Sequence, residues 1–296
     1  MGIFNIFKKQ KSKEQLVDLL IQFIKNKTKK DAYTINLLPE ISPSIFHSKL
    51  GGIPYWDLDK EFPKDQNGNF MTLLCQINFD KEEVTESILP QEGILQFFIS
   101  TDDPYFGTSD DYNYTNNKNF RIIYHEKINE QITKEQIIQK YNLSDSQPDS
   151  SPILHEVCFS LKKETVYLSP ISEDFTPLFQ QAVKEIFNID FEDEYYDLLD
   201  DKHFDNGKTY GRKLRTELKS NQSYLLGYPY FCQGDPRQSP NTPQQKPFDT
   251  VLLQLDSSTN SDYIMWGDMG IGNFLINSED LQNCDFSNVI YYWDCD

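Results

Sequence analysis

One pattern occurs twice in this chain, and it limits the architectures open to it. "KLGGIPYW" and "YLLGYPYF" share Gly-x-Pro-Tyr-aromatic: Gly52, Pro54, Tyr55 and Trp56 match Gly227, Pro229, Tyr230 and Phe231. "LLCQINFD" (73–80) is then matched by "VLLQLDSS" (251–258), with Gln76 against Gln254. "GILQFFI" (93–99) is matched by "GIGNFLI" (270–276), with Gln96 against Asn273. Three blocks in one order at near-equal spacing mark an internal repeat. Each copy reads as an extended Gly-x-Pro segment, a long loop, a strand with a central Gln, a turn and a second strand. One half has too few strands to bury its apolar faces, so both belong to one core. The expected fold is α+β: mainly antiparallel sheets with flanking helices, built from an internal duplication of two related halves, about 47–100 and 224–277.

The stretch "MWGDMGIGNFLIN" (265–277) looks like a phosphate loop because of Gly267, Gly270 and Gly272. A phosphate loop follows a strand and opens a helix, so that helix N–H groups face the anion. Here the glycines precede "NFLIN", which has strand composition. They are therefore expected to serve backbone geometry, at least one with positive φ. Asp268 is expected to accept backbone N–H groups of the turn, and Trp266 to be buried.

Aromatic residues make up 14 % of the 296 residues, which suits a folded, strand-rich protein. The mean hydropathy is −0.61, and no run of 18 apolar residues is present, which argues against a membrane-spanning helix. The formal net charge is −18. Residues 1–30 hold eight Lys against Glu14 and Asp18, a net of +6, so the remainder carries −18 − 6 = −24. A field of that sign repels nucleic acid and anionic membranes and attracts basic partners. Residues 1–30 read as a basic tail followed by an amphipathic helix over 13–26, opened by a Ser12/Gln15 capping box. Residues 31–296 read as a single domain. Within it, 173–205 is a helical acidic insertion, with Thr176 as N-cap ahead of Pro177. Strands are expected in 120–128 and 156–168. Five scattered cysteines without Cys-x-x-Cys, and no signal-peptide pattern, point to a reducing, cytoplasmic setting.

No catalytic motif stands out. A Cys/His pair needs one of five cysteines beside His47, His125, His155 or His203; His155 and Cys158 fall on opposite strand faces. Asp102, Asp103, Asp110 and Asp111 lack the spacing of a calcium loop and read as a solvated loop. The candidate binding residues are Tyr230, Asp235, Arg237, Gln254, Trp266, Asp268 and Asn273. Arg237 either clamps a carboxylate or phosphate or pairs with Asp235 or Asp268. Gln76 and Gln254 either bond to backbone at a sheet irregularity or face a shared cleft.

"GGIPYW", "LLGYPYFCQGDPR", "LLQLDS", "MWGDMGIGNFLI" and "DLQNCDFSNVIYYWDCD" resemble the YwqG-like family, a bacterial domain family of unknown function. The resemblance covers about residues 31–296. It rests on Gly227, Pro229, Asp235, Pro236, Arg237, Gln254, Trp266, Gly267, Asp268, Gly270, Asn273, Phe274, Trp293 and Cys295. It implies a compact α+β domain without established catalysis, cofactor or metal, and a setting near toxin systems. The first copy lacks Asp-Pro-Arg and has Trp56-Asp57 in place of Phe231-Cys232, so a site formed by both halves is asymmetric. The expected function is non-enzymatic binding of a basic partner, as in toxin neutralisation, with no cofactor, no metal, no nucleic acid and no stable membrane insertion. The alternative is an enzyme or small-molecule binder with a cleft between the half-repeats.

Overall fold

The computed structural model describes residues 12–109, 111–146, 148–172, 174–199, 207–218, 222–243 and 245–295. The basic tail ahead of residue 12, Asp110, and residues 173 and 200–206 of the acidic stretch lie outside them.

Among the described residues, ten strands form one sheet: β1 (Lys30–Leu38), β2 (Lys49–Leu50), β3 (Thr72–Asn78), β4 (Ile94–Ile99), β5 (Phe120–His125), β6 (Val157–Val166), β7 (Tyr224–Leu225), β8 (Thr250–Asp256), β9 (Ile271–Ile276) and β10 (Val289–Asp294). Their spatial order is β10-β9-β8-β7-β1-β6-β2-β3-β4-β5. The sheet is antiparallel and nearly closed into a barrel. Its two end strands meet through side chains: the Phe120 ring on β5 lies 5.3 Å from Tyr291 on β10. This corrects the α+β expectation of sheets flanked by helices. The repeat pattern marks only β3, β4, β8 and β9. It is silent on β1 and β6, which stand at the middle of the order and join both runs of strands into one sheet.

The runs β2–β5 and β7–β10 agree in detail. Lys49 pairs with Gln76, and Tyr224 with Gln254. A bulge falls between Leu73 and Cys75 in one run and between Val251 and Leu253 in the other. It turns two successive residues inward, Leu74 with Cys75 and Leu252 with Leu253. Ser48 Oγ accepts the Asn78 N–H at 3.0 Å, and Ser223 Oγ accepts the Asp256 N–H at 3.0 Å. The Phe159 N–H donates to Ser48 O, and the Ile35 N–H to Ser223 O. Thus β6 stands to β2–β5 as β1 stands to β7–β10.

Strand alternation sorts the faces. Ile77, Leu95, Phe97 and Ile99 share a core with Leu255, Phe274, Ile276 and Tyr291. The Phe97 and Phe274 rings touch across it at 5.0 Å. The other face is covered separately. Tyr55, Trp56, Phe62 and Ile137, the last on α2 (Lys134–Tyr141), lie over Ile94 and Phe98; Tyr224 and Phe248 pack with Val251, Leu275 and Ile290.

Contacts divide the chain into two compact units. Among the described residues, the sheet unit falls within 33–163, 222–226 and 231–295, and the other within 12–32, 164–218 and 227–230. The second unit is helical: α1 (Lys13–Thr28), α3 (Phe175–Phe187), α4 (Tyr195–Leu199) and α5 (Tyr210–Glu217). The Ser12/Gln15 capping box is formed on α1, a device worth about 1 kcal/mol. The buried stripe Leu16, Val17, Leu20, Ile21 and Ile24 packs with Phe175, Phe179, Ala182 and Val183. The start of α3 differs from expectation. Asp174 is its N-cap, and Thr176 lies in the first turn with its hydroxyl on Glu194. Burial of Phe175 draws that residue into the helix. Pro177 is still tolerated, because first-turn N–H groups have no intrahelical acceptor. Among the described residues, no helix is long and apolar enough to cross a membrane.

Candidate functional site

The stretch 265–270 is a turn leading into β9. The Trp266 ring is fully buried. It lies against Trp293 at 5.9 Å and Phe106 at 5.7 Å. The Trp266 N–H donates to Ser257 Oγ at 2.8 Å, and the Gly270 N–H closes the turn on Trp266 O at 2.8 Å. Gly267 has φ of +52°, as expected of at least one of the three glycines. Gly270 and Gly272 answer a different need. A Cβ on Gly270 would lie 2.1 Å from Asp294 O, and one on Gly272 would lie 2.3 Å from the Trp266 ring.

Asp268 departs from expectation. It is exposed, and no hydrogen bond or ion pair to its carboxylate is found among the described residues. The N–H that would have suited it, that of Gly270, goes to the Trp266 carbonyl. Met269 beside it holds φ of +59° and is 42 % exposed. A free carboxylate and a thioether are thus displayed on a rigid aromatic base. The base extends to the 100–109 loop: Trp293 Nε1 donates to Tyr105 O at 2.6 Å, and Tyr291 OH to Phe106 O at 2.8 Å. The Tyr105 side chain remains exposed.

The other expected residues fall on other elements. Asp235 is buried and caps a short 3-10 turn through the Arg237 N–H. Its carboxylate also takes Arg237 Nε at 2.9 and 2.8 Å and the Arg237 guanidinium Nη2. Arg237 is therefore engaged with Asp235 in a pair two residues apart. Gln254 and Asn273 face each other across β8 and β9, both fully buried. Gln254 Nε2 donates to Gln222 O at 2.8 Å, the backbone alternative of the two. Tyr230 is half-buried and belongs to the helical unit.

The first run holds a buried polar cluster around Gln76 and Gln96. Gln76 Oε1 accepts the Tyr55 N–H at 2.9 Å and Gln96 Nε2 at 2.8 Å. Gln76 Nε2 donates to Ile45 O and His47 O, and Gln96 Nε2 to Tyr55 O. These bonds fasten the Gly-x-Pro-Tyr segment onto β3 and β4. His125 Nε2 lies 3.1 Å from Gln96 Oε1. That oxygen only accepts, so Nε2 carries the proton. Burial, helped by the Lys60 charge, pushes the His125 pKa down to about 4. Asp294 takes the corresponding place on β10: it pairs with Ile271 as His125 pairs with Ile94. Burial raises the Asp294 pKa, against the pull of backbone N–H groups of Gln233, Cys232 and Gly234.

Two groupings escaped the sequence reading. Cys158 Sγ lies 3.5 Å from His47 Nδ1, a pairing made by β2 lying beside β6. Burial raises the Cys158 pKa and outweighs the neighbouring Lys49 charge, so this thiol is not activated. Lys49 is itself buried, with Nζ 2.6 Å from both Ile53 O and Glu156 Oε1. The second grouping is a polar cleft edged by Tyr105 and Asn119. Its residues come from loops, and loop spacing carries no periodic signal.

Among curated proteins, none matches this chain. A family model, described as a domain of unknown function (DUF1963), matches residues 48–295, which is nearly the whole sheet unit together with the helical segments inserted in it. The chain belongs to the DUF1963 family, an uncharacterised domain family.

Proposed function

We propose that this protein is a cytoplasmic, non-catalytic binding module for a basic protein partner, with toxin neutralisation as its specific form. The observation that carries the reading is Asp268: an exposed carboxylate without a partner among the described residues, next to exposed Met269, in a turn held rigid by Trp266. A pre-set carboxylate loses little conformational freedom on pairing with Lys or Arg. The net charge of −18 adds long-range attraction, which raises association rates for a cationic partner. The finer likeness to YwqG-like proteins, with its bacterial setting, belongs to the same proposal. So does the internal duplication. The shared registers, bulges and serine contacts of the two runs favour descent from one unit.

The test is capture of cognate and unrelated basic proteins by the immobilised chain at low and high salt. A specific basic protein is expected to be retained at low salt and released at high salt. Asp268→Asn and Met269→Ala should weaken retention without lowering the urea midpoint. Equal retention of neutral and acidic proteins, or full retention by both variants, would overturn the reading.

A further inference from the structure

A polar cleft of about 200 Å³ lies among Gln66, Asp103, Tyr105, Asn116, Lys118 and Asn119. We propose that it is a binding site for a neutral saccharide ring. The inference goes beyond capture of a basic partner and does not depend on it.

The walls are built rather than incidental. The Tyr105–Gly107 wall is fastened to β10 by the Trp293 and Tyr291 hydrogen bonds to Tyr105 O and Phe106 O. Phe106 holds a left-handed φ of 49°, an unfavourable angle for a bulky side chain. Its ring is fixed against Trp293 at 5.0 Å. Strained backbone of this kind gathers at ligand sites. The two walls also touch: a Cβ on Gly107 would lie 2.4 Å from Asn119 O, and that oxygen accepts the Ser100 N–H at 2.8 Å.

The lining selects for chemistry. The oxygens of the two asparagines are used locally: Asn119 Oδ1 accepts the Gln66 N–H, and Asn116 Oδ1 accepts the Lys118 N–H. Their Nδ2 groups have no partner among the described residues and remain as donors. Asp103 Oδ1 takes the Tyr105 N–H at 2.8 Å. Lys118 and Asp103 balance in charge, so the lining favours neither ion. The acidic field of the molecule disfavours an anion further, and the Lys118 ammonium in the lining offsets the pull of that field on a cation. A neutral ligand with closely spaced hydroxyls, each able to donate and accept, fits that set. Tyr105 lines this cleft and is 63 % exposed; an exposed aromatic ring is the kind of surface on which the C–H face of a pyranose packs.

The test uses methyl β-glucoside, methyl β-galactoside and N-acetylglucosamine at millimolar concentration, read by saturation-transfer NMR. At least one should bind. Tyr105→Ala should weaken binding about tenfold, the size of one aromatic contact. Asn116→Ala should weaken it as well. Both variants should keep the wild-type urea midpoint. Tyr112→Ala, equally exposed but outside the lining, should bind as wild type. The proposal is overturned if none of the three sugars binds, if Tyr105→Ala binds unchanged, or if acetate or inorganic phosphate binds more tightly than the sugars. Salt-dependent capture of a basic protein would be unaffected by any of these results.

Discussion

Gly270 and Gly272 have no room for a methyl group, and this gives the sharpest single-residue prediction. Alanine at either position forces a backbone carbonyl or the Trp266 ring to move. Each should lower stability by about 1–3 kcal/mol in urea melts, the usual cost of overpacking. Gly234→Ala is the control: nothing lies within 4 Å of its added Cβ, so the midpoint should stay within about 0.5 kcal/mol. Asp268→Ala should be similarly silent, because no bond is lost. A lowered midpoint there would mean that the carboxylate has a structural partner. His125 sets a pH-dependent prediction. Its pKa falls from 6.5 to about 4 on folding, so its neutral form is the one the fold favours. That contribution is complete above pH 6.5 and is lost as pH falls toward 4. At 1.36 kcal/mol per unit it amounts to about 3 kcal/mol. Asp294, with its raised pKa, acts in the opposite direction, so the comparison must be wild type against His125→Gln. The variant should flatten the acid limb of the stability profile; an identical limb would remove His125 as its cause. Much at this scale was legible. Bulky Trp266 belongs in a core, and a glycine in a turn admits positive φ. The exposure of Asp268 was not legible, since it depends on which acceptor the Gly270 N–H chooses.

Among the elements, β3 and β8 announce themselves by apolar runs with a central Gln, and α1 by its capping box and stripe. Of the two central strands, β6 was expected within 156–168, but β1 was not. β1 pairs Tyr33 with Leu225, and no local pattern encodes a partner so distant. The missed barrel follows from that one gap. The matched serine contacts permit a paired test. Ser48→Ala and Ser223→Ala each leave a buried backbone N–H without its acceptor. Each should cost about 1–3 kcal/mol, and by similar amounts if the two runs are built alike. A large cost in one and none in the other would separate their roles.

For the sheet as a whole, the crossed order means that neither run is complete alone. The run β2–β5 takes its border strand from β6, and β7–β10 takes its own from β1. A fragment covering 33–130 therefore has β2 with an open edge. It should be unfolded or aggregated by size-exclusion chromatography and circular dichroism. Mixing it with 131–296 should recover strand signal. A fragment 33–130 that folds alone as a monomer would contradict this. Pairings of such long range also slow folding.

The position of β1 has a consequence for synthesis. Leu225 is made 192 residues after Tyr33, its partner. At ordinary translation rates of about 5–20 residues per second, the ribosome needs roughly 10–40 s to make that stretch. β6, the other neighbour, begins only at Val157. For all the time before Val157 is made, "KDAYTINLL" is a nascent strand without either neighbour. Lys30, Asp31 and Asn36 interrupt its apolar residues, as gatekeepers do in segments prone to premature association. Replacing Asp31 by an apolar residue would then lower the yield of soluble protein from the ribosome, beyond any stability lost with the Thr165 hydroxyl contact to its carboxylate.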